Sequence, residues 1–254
     1  MRETGNPFFG FGKQKTYDPE RMGEVLSKEE ASCGQILVTE QFFRGHHARL
    51  LFVDGALQSA VPLEEGERWT LLFPYMRGFD WALRMRNPIR SALLIGGGGF
   101  VYADHFLHEC PGASLDVVEM NARIIEIARK YFFLNEVERE YDAFSLYQKE
   151  GLSFLLGCGQ QYEVIFNDAF QGFLPDSGLF SEDGMAVVRA HLKEGGLYLC
   201  NLVSAVKGPG GLFGHKIKKR ALRHFRNVAL FQADDRRSPY EKQNCLLVAS
   251  DRSM

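Results

Sequence analysis

The sequence predicts an α/β protein with a mostly parallel sheet, a C-terminal antiparallel hairpin and a small N-terminal β-sheet. Between residues 91 and 204, strand-like apolar segments alternate with amphipathic helical ones, which is the pattern of a parallel sheet with crossover helices. Residues 227–234 and 244–250 are strand-like and joined by a charged loop, as in an antiparallel hairpin. Residues 35–61 contain only short β-type segments separated by turns.

Composition is typical of a globular chain. The 254 residues are 45% hydrophobic and 24% charged, which is enough apolar material for a sizeable core. A formal net charge of −2 gives no electrostatic reason to expect a nucleic acid or an anionic membrane as partner. The longest apolar runs have strand length, and no signal-peptide pattern is present, so we expect a cytoplasmic protein.

Three segments are expected along the chain. Residues 1–34 are predicted to be a loosely ordered arm with a short helix near residues 21–30, and residues 35–66 the small β-sheet. Residues 67–254 are predicted to form a Rossmann-like domain, which opens with a helix over residues 67–85. The five cysteines are scattered and form no C-x-x-C pair, so we interpret them as reduced and structural.

The strongest functional signal is a strand that runs directly into a glycine cluster. Its members are Gly96, Gly97, Gly98 and Gly99. Glycine lets the backbone turn sharply and approach a ligand, and the helix that follows offers free N–H groups. Glu119 ends the next predicted strand about 20 residues later, the spacing at which a carboxylate meets ribose hydroxyls. The alternative is a glycine turn that serves only close helix–strand packing.

Two more acids stand where predicted strands end, which is where ligands bind in sheets of this type. Glu150 follows the third strand of the parallel sheet, where a carboxylate can accept from an adenine amino group. Asp168 follows the fourth, near the reacting end of the ligand, where it can act as a general base. The alternative for each acid is a helix N-cap or a position in the first helical turn, and the functional interpretation is favoured for Asp168.

Residues 50 to about 203 resemble the spermidine/spermine synthase (polyamine aminopropyltransferase) family, in its divergent spermidine synthase-like branch. The resemblance is carried, in family order, by LLFVDGALQS, ALLIGGGG, LDVVEMNARIIEIARKYF, KEGLSFL, YEVIFNDAF and LKEGGLYLCNL. It implies an S-adenosylmethionine-methyltransferase-like Rossmann sheet with a terminal hairpin and a small N-terminal β-domain, often in a homodimer. Members of the family bind decarboxylated S-adenosylmethionine and move its aminopropyl group to a diamine.

The adenosyl side of the family site is kept. Gln58 stands where an N-terminal glutamine touches the nucleoside, Glu119 at the ribose carboxylate, and Glu150-Gly151 at the family's Asp-Gly beside adenine. Asp168 stands at the first Asp of the family's D-x-x-D motif, which implies the catalytic proton acceptor. The implied cofactor-binding residues are Gln58, Gly96, Gly97, Gly98, Gly99, Glu119, Met120, Glu150, Gly151 and Asp168.

The amine side departs from the family. Gly99 replaces the Asp of the family's GGGDGG motif, and Gln171 replaces the second Asp of D-x-x-D at the substrate position. The family's Tyr-His-Glu, in the helix after the N-terminal sheet, is not found, and residues 68–70 occupy that region. Because a cationic diamine needs carboxylates facing it, we predict a transferase that is not a true putrescine aminopropyltransferase.

Two alternatives to an altered aminopropyltransferase stay open. Gly99 removes a charge that would repel the carboxylate of full S-adenosylmethionine and leaves backbone N–H donors, as in a methyltransferase. A non-catalytic adenosyl-binding protein is the third possibility. For either enzyme we expect a small-molecule acceptor, and methylthioadenosine or S-adenosylhomocysteine as product.

Two other features favour ordinary interpretations. His105 and His108 lie three residues apart on one predicted helix, but no third ligand of suitable spacing accompanies them, so we predict no metal. Residues 215–226 are basic, yet apolar residues at helical spacing indicate a solvated helix and not a nucleic-acid site.

Overall fold

A computed structural model describes residues 23–31, 33–84, 88–169 and 178–252 of the chain. Most of the predicted arm and the substrate position Gln171 lie outside these residues. The described part contains two sheets, one antiparallel with four strands and one mixed with seven.

The N-terminal sheet has the strand order β1-β2-β3-β4. Its strands are β1 (Glu24–Ala31), β2 (Gly34–Phe43), β3 (His46–Val53) and β4 (Ala56–Pro62). The short helix expected near residues 21–30 is wrong, because β1 pairs antiparallel with β2 from Glu24 to Ala31. Gly34 turns the chain at φ 102°, and the next amide, Gln35 N–H, donates to Asp54 Oδ1 at 3.0 Å. This fixed turn and the pairing with β2 outweigh the helical preference of the Lys-Glu-Glu run.

The main sheet has the strand order β10-β11-β9-β8-β5-β6-β7. Its strands are β5 (Ser91–Ile95), β6 (Ser114–Val118), β7 (Phe144–Tyr147), β8 (Tyr162–Asn167), β9 (Leu192–Ser204), β10 (Asn227–Gln232) and β11 (Gln243–Ser250). Strands β5 to β9 are paired in parallel, whereas β11 is antiparallel to both β9 and β10. The predicted fold class is confirmed, including the C-terminal hairpin.

Seven α-helices are present in the described residues. They are α1 (Pro74–Leu83), α2 (Val101–Glu109), α3 (Ala122–Tyr131), α4 (Leu134–Glu140), α5 (Gly151–Gly157), α6 (Glu182–Ala190) and α7 (Leu212–Ala221). The helix predicted over residues 67–85 starts only at Pro74, because Phe73 before the proline is held extended at φ −93° and ψ 129°. None of these helices is long and apolar enough to cross a bilayer.

Two hydrophobic cores cover the two faces of the main sheet. One core joins the N-terminal sheet to helices α1, α2 and α3 and to one face of β5, β6 and β8. The other packs α5, α6 and α7 against the opposite face. The N-terminal sheet and α1 therefore lie on the same side of the main sheet. This arrangement brings β4 and the beginning of α1 to the carboxyl ends of the parallel strands.

All five cysteines are free thiols, as expected from their spacing. Cys200 and Cys245 are fully buried inside strands β9 and β11. Burial raises the pKa of the Cys245 thiol to about 11, so the reactive thiolate is scarce near neutral pH. Cys200 acts as a small hydrophobic residue of the second core, and the Cys245 thiol donates to the Ser204 carbonyl at 3.2 Å.

Candidate active site

The glycine loop begins where β5 ends, against the backbone of Asp168. The Asp168 N–H donates to the Ile95 carbonyl at 2.8 Å, so the loops that follow β8 and β5 begin side by side at the end of the sheet. Gly96 has φ 96°, and a Cβ on it would lie 2.7 Å from the Asp168 carbonyl carbon. Only glycine fits this position, because the neighbouring atoms are backbone and cannot rotate away.

Glu119 binds the glycine loop directly. Its Oε2 accepts from Gly97 N–H at 3.0 Å and from Gly98 N–H at 3.3 Å, while Oε1 accepts from Asn121 N–H at 2.9 Å. Glu119 and the glycine loop, which the spacing of about 20 residues predicted to meet, are therefore in contact. A carboxylate offers about four acceptor positions, so with three in use the group can still accept from one further hydroxyl. The neighbouring Met120 is exposed at the same strand end.

Gly99 is engaged by the N-terminal sheet. Its N–H donates to Ser59 Oγ at 2.8 Å, and a Cβ on Gly99 would lie 2.8 Å from Ser59 Cβ. The expectation that Gly99 leaves a free N–H donor is therefore wrong, because Ser59 already accepts from it. Gln58 immediately precedes Ser59 on β4, so this contact places Gln58 beside the glycine loop.

Glu150 is the N-cap of helix α5. Its two carboxylate oxygens accept from Leu152 N–H at 2.9 Å and Ser153 N–H at 2.7 Å. Burial raises the pKa of Glu150, but these backbone hydrogen bonds outweigh it and the net shift is downward. Gly151 is required by packing, because a Cβ there would collide with Ile95 Cγ2. The N-cap interpretation thus has direct contacts, while contact of Glu150 with adenine stays a prediction.

Asp168 is held by two neutral donors that the sequence did not single out. Its Oδ2 accepts from the Tyr75 hydroxyl and its Oδ1 from Asn201 Nδ2, both at 2.8 Å. Asn201 Oδ1 in turn accepts from Asn244 Nδ2 at 3.0 Å. Tyr75 lies in the helix predicted over residues 67–85, where the sequence pattern indicates an apolar packing residue. A buried asparagine in the apolar strand LYLCNLV was the signal for Asn201, since a buried amide requires partners.

Residues 68–70, which occupy the region of the family's Tyr-His-Glu in the sequence comparison, precede α1. Helix α1 itself carries Tyr75, which is followed by Met76 and Arg77 and not by His and Glu. The absence of the Tyr-His-Glu motif stays a prediction.

Burial raises the pKa of the Asp168 carboxyl to about 7, against the lowering effect of hydrogen bonds from Asn201 and Tyr75. Neutral donors stabilise the charged carboxylate less than a cation would. The group therefore changes protonation state near neutral pH, which is the condition for an effective general base.

This raised pKa predicts a pH dependence of stability. An aspartate in the unfolded chain has a pKa of about 3.9, so the folded protein holds the extra proton between about pH 4 and pH 7. The contribution of Asp168 to stability should be greatest below the unfolded pKa and be lost as the pH rises through this range. Urea unfolding of wild type and Asp168→Asn at several pH values tests this. The difference in the free energy of unfolding between wild type and the variant should change from pH 4 to pH 7. A difference that is the same at every pH would contradict the raised pKa.

An ion pair anchors the helix that carries Tyr75. His105 Nε2 lies 2.7 Å from Asp80 Oδ2, and Nδ1 lies 2.6 Å from the Trp69 carbonyl oxygen. Both partners are acceptors, so both ring nitrogens donate and the ring is an imidazolium. Burial lowers the pKa of His105, but the hydrogen bond and charge of Asp80 raise it more. Asp80 lies on α1, so this contact fixes the helix against α2.

The histidine pair of α2 is thus used in packing. His108 stacks on Trp69 with ring centroids 3.7 Å apart. Within the described ranges, no group of three or more metal-ligating side chains comes together.

Comparison with known proteins supports the same family as the sequence motifs. A family model described as the spermine/spermidine synthase domain matches residues 81–205. The polyamine aminopropyltransferase of Streptococcus uberis is 30% identical over 114 residues, which cover 44% of this chain and 40% of that protein. That of Pectobacterium atrosepticum is 24% identical over 212 residues, which cover 82% of this chain and 69% of that protein. The match to the streptococcal relative thus spans less than half of its length.

Solved structures show the same fold. A spermidine synthase in complex with the transition state analogue AdoDATO superposes with a TM-score of 0.71 and 17% identity, covering 90% of this chain and 74% of that one. A probable spermidine synthase from Corynebacterium glutamicum superposes with a TM-score of 0.72 and 18% identity, covering 92% and 81%. The resemblance drawn from the sequence is confirmed. The chain is a distant relative of the polyamine aminopropyltransferases, and the spermine/spermidine synthase domain is the family model that it resembles over residues 81–205.

Proposed function

We propose that this chain is a transferase that uses an adenosyl thioether and alkylates a small-molecule nucleophile, with Asp168 as the proton acceptor. The observation that carries the proposal is the Asp168 carboxyl, which has a pKa raised to about 7 and lies at the glycine loop. A base is most useful when its pKa lies near the working pH, and such bases contribute about 10²- to 10⁴-fold to rate.

The described residues fit an adenosyl group. A Cβ on Gly96 or Gly97 would collide with the Asp168 backbone or the Phe100 ring, so glycine keeps the loop folded tightly at the strand end. Glu119 keeps one acceptor position for a ribose hydroxyl beyond the three backbone N–H groups it binds. Met120 offers an exposed apolar surface at the end of β6, and Gln58 is next to the loop. The cofactor of this proposal is S-adenosylmethionine or its decarboxylated form.

Asp168 takes the proton of the attacking nucleophile. When bound, the cofactor supplies a carbon on a sulfonium; the new bond to the nucleophile replaces the carbon–sulfur bond, whose electron pair stays on sulfur. Tyr75 and Asn201 each occupy one position on one Asp168 oxygen, which leaves each oxygen able to accept again. The Asn201–Asn244 contact fixes the amide orientation, so Nδ2 and not Oδ1 faces the carboxylate.

Two features support an acceptor other than putrescine. Gly99 has no side chain to pair with an ammonium, and the two groups that contact Asp168 are neutral. An ammonium that leaves water without a carboxylate partner is strongly disfavoured. The alkyl acceptor of this proposal is therefore not a simple diamine.

A transfer assay tests the proposal. The chain is incubated with either donor and with panels of amines, amino acids, thiols and phosphorylated metabolites, and adenosyl products are separated by chromatography. We expect methylthioadenosine from the decarboxylated donor with a non-diamine acceptor. S-adenosylhomocysteine from the full donor would show methyl transfer instead. If neither product forms with any acceptor class, the chain is not a transferase of this kind.

A further inference from the structure

A group of arginines lies at the carboxyl ends of the parallel strands, where Asp168 also lies. Strand β11 begins at Gln243, opposite Ser204, the last residue of β9, and β9 runs parallel to β8. The loop between β10 and β11 is therefore at the carboxyl ends of the parallel strands. It carries Arg236 and Arg237, and we call these two residues, together with Arg44 and Arg77, the arginine rim.

Arg44 and Arg77 are fixed at the segment that leads into Tyr75. Arg44, at the turn between β2 and β3, donates from Nη1 to the Leu72 carbonyl at 3.0 Å. Arg77, on α1, donates from Nη1 to the Leu71 carbonyl at 2.6 Å. Consecutive Cα atoms are about 3.8 Å apart, so at most about 11 Å separate the Cα atoms of Leu72 and Tyr75. Both guanidiniums therefore bind the backbone of the short segment that precedes Tyr75.

The four arginines of the rim outnumber the three acids of its loop, which are Asp234, Asp235 and Glu241. Asp234 pairs with Arg236 at 2.8 Å, and Glu241 pairs with Arg237 at 3.1 Å. Arg44 and Arg77 are exposed, and neither forms an ion pair with any residue in the described parts of the chain.

The guanidiniums of the rim also influence one another. Desolvation lowers the pKa of Arg44, and the charges of Arg77, Arg236 and Arg237 lower it further, whereas Asp234 raises it. Arginines from three separate elements are thus close enough to repel one another. Their combined charge repels a cationic ligand and attracts an anionic one.

We propose that the arginine rim binds the carboxylate or phosphate group of an anionic small-molecule acceptor whose nucleophilic atom reaches Asp168. The inference rests on the proposed function, because it assigns the substrate class of the same site. Guanidinium groups bind carboxylate and phosphate through paired N–H donors, which positions as well as attracts the ligand. The same charges oppose a diamine at this entrance.

Calorimetric titration of three probes tests the proposal. Succinate, inorganic phosphate and putrescine are titrated separately into the full chain saturated with 5′-methylthioadenosine. We expect at least one anion to bind more tightly than putrescine, and its affinity to fall with added salt. Comparison of succinate with phosphate distinguishes the two anion chemistries. Tighter binding of putrescine, or no binding of either anion, would overturn the proposal.

Variants tie the effect to the rim. Arg44→Gln combined with Arg77→Gln should weaken anion binding at least about tenfold, and Arg226→Gln, an exposed arginine at the start of β10, should leave it unchanged. Unchanged affinity in the double variant would contradict the assignment. If that variant unfolds, Arg236→Gln, whose side chain is 74% exposed, provides the same comparison.

The two proposals fail in different ways. Rim-dependent anion binding without any binding of methylthioadenosine would refute the adenosyl site and retain the anion site. Binding of methylthioadenosine without anion binding would retain the adenosyl site and refute the anion site.

Discussion

Replacement of Asp168 by asparagine is expected to lower turnover by about 10³-fold while adenosyl binding changes less than about threefold. The side chain keeps its size, and its remaining oxygen can accept from Asn201 Nδ2. The Tyr75 hydroxyl can rotate and accept from the new amide, because a hydroxyl both donates and accepts. The site therefore keeps its shape and loses only the group that takes the proton.

Steady-state kinetics and calorimetry on the same preparation test this expectation. Asp183→Asn, an exposed acid in the first turn of α6, is the matched control and should leave both quantities unchanged. A variant at position 168 that keeps more than about a tenth of the turnover would show that the nucleophile loses its proton elsewhere.

Gly96→Ala is expected to abolish adenosyl binding and to destabilise the fold by about 2 kcal/mol or more. The backbone at φ 96° is unfavourable for alanine, and the new Cβ would meet the Asp168 carbonyl oxygen at 2.7 Å and Ala169 N at 2.8 Å. Neither contact can be relieved by a side-chain rotation. Strands β5 and β8 must separate, which displaces the glycine loop and Asp168 together.

Gly112→Ala isolates the steric part of this effect. Gly112 has a similar φ of 86°, but nothing lies within 4 Å of a Cβ built on it. Thermal unfolding should show a smaller loss of stability for this variant, and methylthioadenosine should bind it as it binds wild type. Equal losses in the two variants would mean that strain alone, and not the close approach to Asp168, makes Gly96 necessary.

The sequence predicted the half of the site that depends on local chain geometry. A strand followed by glycines and an acid about 20 residues later has one arrangement in a parallel sheet, so the contact of Glu119 with the glycine loop could be anticipated. The alternation of strands and helices likewise determined the sheet. The predicted start of α1 at residue 67 was wrong because Pro74 disfavours a helical conformation at Phe73, so the helix cannot begin before the proline.

The contacts of Asp168 could not be derived in the same way. Tyr75 and Asp168 are 93 positions apart, and the asparagine in the apolar strand indicates a buried amide without indicating which group it contacts. Which side chains meet at the carboxyl ends depends on how α1 docks on the sheet, and that docking is fixed by the long-range pair His105–Asp80. Likewise, Gly99 appeared free until the structure placed Ser59 of β4 against it.

Titration of 5′-methylthioadenosine into wild type and Glu119→Gln tests the central claim, an adenosyl-thioether site at the glycine loop, most directly. Glutamine keeps one acceptor oxygen for the loop but removes the charge that would hold the ribose hydroxyls. We expect saturable binding of one nucleoside per chain to wild type and at least about tenfold weaker binding to the variant. No binding to wild type, or equal affinity in both proteins, would contradict the account.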